Sequence, residues 1–166
     1  MAVYIALGSN LGDRERNLRE ALRLLAPLVQ VEAVSALYES EPQPPAPPPS
    51  YLNAACRVAT ALSPRELLRH LKAIEQQLGR QPGPRWSPRP IDLDIALYDD
   101  LVLAEPDLTI PHPRLLERSF VLQPLLDLDP ELVHPVTGER LDDVLRRAGA
   151  SGLSLAEGIG WDRSPS

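Results

Sequence analysis

Ile91, Leu93, Ile95 and Leu97 alternate with Asp92, Asp94 and Ala96. A period of two marks a strand that is apolar on one side only. The chain must therefore build a sheet that buries the aliphatic side, and this leaves two carboxylates together on the other side. At strand rise the Cα atoms of Asp92 and Asp94 lie roughly 6.5–7 Å apart. Carboxylates that close repel unless positive charge sits between them. A hard divalent cation, held by one or two carboxylates together with phosphate oxygens, meets that demand. Arg80, Arg85 and Arg89 precede the strand, and guanidinium groups match phosphate geometry. An exposed polar strand face with ordinary ion pairs is the competing reading of the same residues.

The rest of the chain supplies partners for such a strand. Residues 3–7 read as a short apolar strand, and Gly8 to Asp13 as a turn rich in glycine and Asx/Ser residues. Leu11, Leu18, Leu22, Leu25 and Leu28 then fall on one helical face, which Pro27 ends. Residues 29–39 alternate as a second strand. Six prolines crowd into residues 41–50, a run that favours extended polyproline geometry. In residues 51–61 Leu52, Ala54, Cys56 and Val58 share one face, and Tyr51, Asn53 and Arg57 the other. Cys56 is thus expected to be a small core residue. Ser63-Pro64-Arg65-Glu66 is a capping box with proline at the first helical position. The helix behind it offers Leu67, Leu68, Leu71, Ile74 and Leu78 to a core and stops at Gly79. Further short helices are expected at 114–117, 124–128 and 141–148.

The order β-α-β-β-α-β predicts a ferredoxin-like α+β fold over residues 1–166 as a single domain. Helices cover one face of an antiparallel sheet, and the active site occupies the other. Tyr51, Asn53, Asp92 and Asp94 converge on that open face. A net charge of −6 argues against a general nucleic-acid binder. No apolar run approaches the ~20 residues of a membrane span. One cysteine and no visible signal segment predict a cytoplasmic protein.

Six segments carry a family resemblance in their order and spacing. They are Ala6-Leu7-Gly8-Ser9-Asn10-Leu11-Gly12-Asp13, Tyr51-Leu52-Asn53-Ala54-Ala55, Gly79-Arg80, Arg85-Trp86-Ser87-Pro88-Arg89, Asp92-Leu93-Asp94-Ile95 and Ile110-Pro111-His112-Pro113. The chain resembles the 6-hydroxymethyl-7,8-dihydropterin pyrophosphokinases of folate biosynthesis, from about Val3 to about His134. The resemblance implies transfer of the pyrophosphoryl group of ATP to the pterin hydroxymethyl oxygen, leaving AMP. It implies two Mg²⁺ ions held by Asp92 and Asp94, and phosphate-clamping Arg80 and Arg89. By the same resemblance Glu75, Arg85, Ile95, Thr109, His112 and Arg118 serve ATP. Ser40, Pro42, Tyr51, Asn53, Trp86 and Phe120 serve the pterin, with Tyr51 and Phe120 sandwiching the heterocycle and Asn53 reading its edge. A monomer is expected, with these two small molecules as partners and neither nucleic acid nor membrane. Two alternatives stay open: a Mg²⁺-dependent nucleotidyl transferase that releases pyrophosphate, and a non-catalytic ferredoxin-like binding module.

Overall fold

In a computed structural model, residues 2–41, 50–79 and 90–163 are described. Pro42, Arg80, Arg85, Trp86 and Arg89 lie outside these described residues.

The central strand is β1 (Val3–Ser9), which pairs antiparallel with β4 (Tyr51–Thr60) on one side and β5 (Asp92–Tyr98) on the other. Both β2 (Val29–Val34) and β3 (Leu37–Ser40) pair antiparallel with the far edge of β4. The expected strand 29–39 is therefore split. Ser35 causes the split: its N–H donates to the Ala55 carbonyl at 2.9 Å, and its hydroxyl accepts the Ala55 N–H at 2.9 Å. A last strand, β8 (Leu153–Glu157), extends the sheet beyond β3. A separate two-stranded hairpin, β6 (Leu103–Glu105) and β7 (Leu108–Ile110), follows β5 in the chain.

Two helices cover one face. In α1 (Arg14–Leu25) the Asp13 carboxylate caps the first turn by accepting the Arg16 N–H at 3.1 Å, and Leu18, Ala21 and Leu25 are buried. In α2 (Pro64–Gln77) both arms of the capping box form: the Glu66 N–H donates to Ser63 Oγ at 3.2 Å, and the Ser63 N–H to Glu66 Oε1 at 2.8 Å. The helix ends before Gly79, whose φ of +97° favours a residue without Cβ. Leu67, Leu71 and Ile74 pack on Ile5, Leu7, Cys56, Leu93 and Ile95. Truncating a fully buried leucine such as Leu71 in such a core costs about 2–5 kcal/mol. Burial pushes the Cys56 thiol up to about 12, so it stays a protonated core group.

The other face is shared. α3 (Ser119–Leu128) and α4 (Leu141–Ala148) cover part of it, with Leu122, Leu125, Leu141 and Val144 packed near Tyr4, Ala55 and Ala96. Leu97 belongs to this second cluster and departs from the strict alternation of its strand. The register runs Tyr4↔Leu97 and then Ile5↔Ile95, so Ala96 is the extra residue of a β-bulge that turns Leu97 over. Helix α3 also starts earlier than residue 124, because Val121, Leu122 and Leu125 bury well enough to carry Pro124 inside it. Among the described residues no helix is long and apolar enough to cross a membrane.

Candidate active site

The uncovered part of this face is a cleft enclosing about 180 Å³. Its floor follows from the register of three strands. Gly8 lies between Asp92 on β5 and Asn53 on β4, and Ala6 lies between Asp94 and Ala55. The central strand thus contributes almost no side chain, and a trough opens between the carboxylates and the amide. A Cβ on Gly8 would sit 3.4 Å from the Tyr51 ring and 3.6 Å from Asn53 Oδ1, so any larger residue there would fill the trough.

The walls come from four elements. Asp92 and Asp94 line one end from β5. Tyr51 and Asn53 line the other from β4, with Ser40 and Glu41 at the end of β3. Asn53 is buried, and its Nδ2 donates to Ser40 Oγ at 2.7 Å. That bond fixes the orientation of the amide. Phe120, in the first turn of α3, presents a second ring to the cleft, and the Arg118 guanidinium lies 5.5 Å from its centroid. The C-terminal end of α3 is held to β3 where the Tyr38 hydroxyl donates to Asp127 Oδ2 at 2.6 Å.

His112 enters beside the carboxylates because its N–H donates to the Ala96 carbonyl at 3.0 Å, just after the β6–β7 hairpin. Arg65 of α2 fastens that hairpin through Glu105 and Asp107. His112 Nδ1 accepts the Arg114 N–H at 3.2 Å, so the neutral ring carries its proton on Nε2. Nε2 lies 4.0 Å from Asp94 Oδ2. Burial first, then Arg118 and Arg114, lower the imidazole to about 4. The ring is therefore a neutral N–H donor at pH 7, and its approach to Asp94 is a polar contact, not an ion pair.

Eight of the residues named from sequence meet here: Ser40, Tyr51, Asn53, Asp92, Asp94, His112, Arg118 and Phe120. Three do not line the cleft. Ile95 is buried on the helical face, Thr109 is exposed on β7, and Glu75 is buried with Oε2 accepting the Leu93 N–H at 2.8 Å. Sequence reasoning missed Gly8, Ala6 and Glu41. Gly8 and Ala6 carry a usable signal, since continuing the alternation of β1 places them on the same face as the carboxylates.

The donor set suits a hard cation that takes few protein ligands. Among the described residues no group of three His, Cys, Asp or Glu forms a closed metal site. Two carboxylates on an open trough instead leave coordination positions for phosphate oxygens and water, the pattern Mg²⁺ adopts.

A family model described as 7,8-dihydro-6-hydroxymethylpterin-pyrophosphokinase matches residues 4–130. The chain is 45% identical over 154 residues to the folic acid synthesis protein fol1 of Schizosaccharomyces pombe, covering 92% of this chain and 21% of that protein. It is 52% identical over 127 residues to the mitochondrial folate synthesis bifunctional protein of Arabidopsis thaliana, covering 76% of this chain and 23% of that protein. It is 39% identical over 134 residues to the 2-amino-4-hydroxy-6-hydroxymethyldihydropteridine pyrophosphokinase of Aquifex aeolicus, covering 81% of this chain and 84% of the relative. The chain thus spans about a fifth to a quarter of the fungal and plant relatives, and most of the bacterial one. The crystal structure of wild-type Plasmodium falciparum HPPK-DHPS with pteroate superposes with a TM-score of 0.75 at 14% identity, over 96% of this chain and 49% of that one. That likeness establishes the ferredoxin-like fold.

Proposed function

We propose a function from one premise: the chain belongs to the 7,8-dihydro-6-hydroxymethylpterin-pyrophosphokinase family. It transfers the pyrophosphoryl group of ATP to the hydroxymethyl group of 6-hydroxymethyl-7,8-dihydropterin. The hydroxymethyl oxygen attacks the β-phosphorus, the bond from that phosphorus to the α-phosphate oxygen breaks, AMP departs, and the hydroxyl proton passes to water.

The observation that carries this reading is one trough lined by a carboxylate pair on β5 and, across it, by an oriented amide and two aromatic residues. Tyr51 and Phe120 suit the two faces of a planar heterocycle by offset stacking. Asn53, held by Ser40, reads the donor–acceptor edge of the pterin. The glycine and alanine of β1 leave the depth for the ring to enter. His112 donates its Nε2–H to a phosphate oxygen, and Arg118 adds positive charge near it. On the family resemblance alone, Arg80, Arg85 and Arg89 are assigned to the phosphates and Trp86 and Pro42 to the pterin; the same resemblance assigns Glu75, Ile95 and Thr109 to the nucleotide, although their side chains do not line the described cleft.

Asp92 and Asp94 hold Mg²⁺ in this reading. When bound, the metal neutralises phosphate charge and orients the transferred group. The protein's own share is alignment: phosphoryl transfer gains mainly from positioning and charge complementarity, with little covalent help. Incubation with ATP, Mg²⁺ and the hydroxymethyl pterin tests the assignment. AMP as the nucleotide product supports it. Pyrophosphate release would point to nucleotidyl transfer, and no turnover to a binding module.

A further inference from the structure

The family match ends at residue 130, yet the strand that carries Ser40 to the cleft is paired on its outer side by chain beyond it. Strand β8 pairs with β3 in the register Ser40↔Leu153 and Glu39↔Ser154. The Glu41 N–H donates to the Gly152 carbonyl at 3.0 Å. Gly152 has φ +78°, and a Cβ there would lie 3.2 Å from Glu41 Oε2 and 3.6 Å from Glu41 Cβ. Ser40 in turn accepts the Asn53 amide at 2.7 Å, and Ser40, Glu41 and Asn53 all line the cleft. The same segment is anchored at its far end. Trp161 is buried, and its Nε1–H donates to the Ser35 carbonyl at 2.8 Å, where β2 gives way to β3.

β3 has only four residues. Without β8 its outer side would be an open edge, free to shift. We propose that the C-terminal segment from Gly152 to Trp161 is a positioning element for the pterin end of the site. It fixes Ser40 and Glu41, and through Ser40 the amide of Asn53. It sets pterin affinity without acting on the phosphate end at Asp92 and Asp94. This rests on the pyrophosphokinase reading above. Small displacements of positioning groups are costly in such sites, so a four-residue strand that carries the pterin wall needs a neighbour to hold it.

Gly152→Ala tests the proposal, because a Cβ at φ +78° strains the backbone whose carbonyl holds the Glu41 N–H, and it meets the Glu41 carboxylate at 3.2 Å. Gly149→Ala is its control: φ there is +77°, and nothing lies within 4 Å of the added Cβ, so the backbone strain is matched and the Glu41 contact is absent. The expected result for Gly152→Ala is a pterin KM raised by about five-fold, the equivalent of one net hydrogen bond. Turnover and the ATP KM stay within about two-fold of the unmodified chain, and Gly149→Ala leaves pterin affinity unchanged. An unchanged pterin KM, an equal rise for both substrates, or the same rise in Gly149→Ala would overturn the proposal. Pterin binding measured by ligand fluorescence gives the same answer independently of turnover. An unmodified chain that makes no AMP would count against the pyrophosphokinase reading, while the binding comparison still decides the positioning role. If Gly152→Ala does not fold, Trp161→Phe decides: it keeps the burial and removes the indole donor. A weaker rise in the pterin dissociation constant supports the proposal, and no rise overturns it.

Discussion

Replacing Glu75 by alanine should destabilise the protein more than most single changes, because Glu75 braces the strand that carries the carboxylate pair. Its side chain is 3% exposed, and Oε2 accepts the N–H of Leu93, the residue between Asp92 and Asp94. β5 lies at the sheet edge, so this N–H faces α2 and not another strand. Orphaning a buried N–H costs about 1–3 kcal/mol. Losing a buried methylene adds about 0.8 kcal/mol. Lys72 sits 3.4 Å from Oε1 but is 54% exposed, so its pairing adds little. The sum is about 2–4 kcal/mol, or a fall in Tm of roughly 5–15 °C for a domain of this size. Glu75→Gln keeps an acceptor for Leu93 and should cost no more than about 1 kcal/mol. Urea and thermal unfolding followed by circular dichroism compare the three proteins. A Glu75→Ala variant melting within about 2 °C of the parent, or a Gln variant falling as far as the Ala variant, would refute the brace.

Three further outcomes follow from the cleft. Asp92→Ala and Asp94→Ala should each remove most turnover, and the double variant should lose much less than the product of the two effects, since both carboxylates serve one unit; near-normal Mg²⁺-dependent activity in either single variant would contradict the metal assignment. Phe120→Ala and Asn53→Ala should weaken pterin binding more than ATP binding, by about 0.5–1.5 kcal/mol beyond lost contact area for the ring; calorimetric titration showing unchanged pterin affinity in both would place the heterocycle elsewhere. His112 is lowered from 6.5 to about 4 by burial and by its arginine neighbours, so the unfolded chain takes up the proton first as pH falls. Its stabilisation is complete above pH 6.5 and is lost as pH drops toward 4. The difference in urea midpoint between the parent and His112→Asn should shrink across that interval, and a constant or growing difference would contradict the shift.

The parts of this molecule legible in its sequence are those set by local chemistry. Ser63 and Glu66 announce the start of α2 because a capping box needs only residues three apart. Asp92 and Asp94 share a face because strand side chains alternate over so short a span. Register and long-range contact decide the rest. The role of Gly8 depends on its being opposite both Asp92 and Asn53, which neither neighbour in the chain reveals. Glu75 follows Lys72 at helical spacing and resembles a surface ion pair, yet packing of α2 on β5 buries it against a backbone N–H. The tail misleads in the opposite sense. Its apolar residues do not track burial: Leu155 is 63% and Ile159 73% exposed, while Trp161 is 2% exposed. Edge pairing with β3 and one indole hydrogen bond, not an amphipathic face, hold it in place.

The central claim is that this trough delivers a hydroxymethyl oxygen to the β-phosphorus of ATP. ATP radiolabelled in its β-phosphoryl group tests it most directly, with the products separated after incubation with Mg²⁺ and 6-hydroxymethyl-7,8-dihydropterin. The account predicts that the label leaves the nucleotide and co-migrates with the pterin product as unlabelled AMP accumulates, and that Asp94→Ala abolishes the transfer. Label retained in ADP, or released as pyrophosphate with none on the pterin, would contradict it.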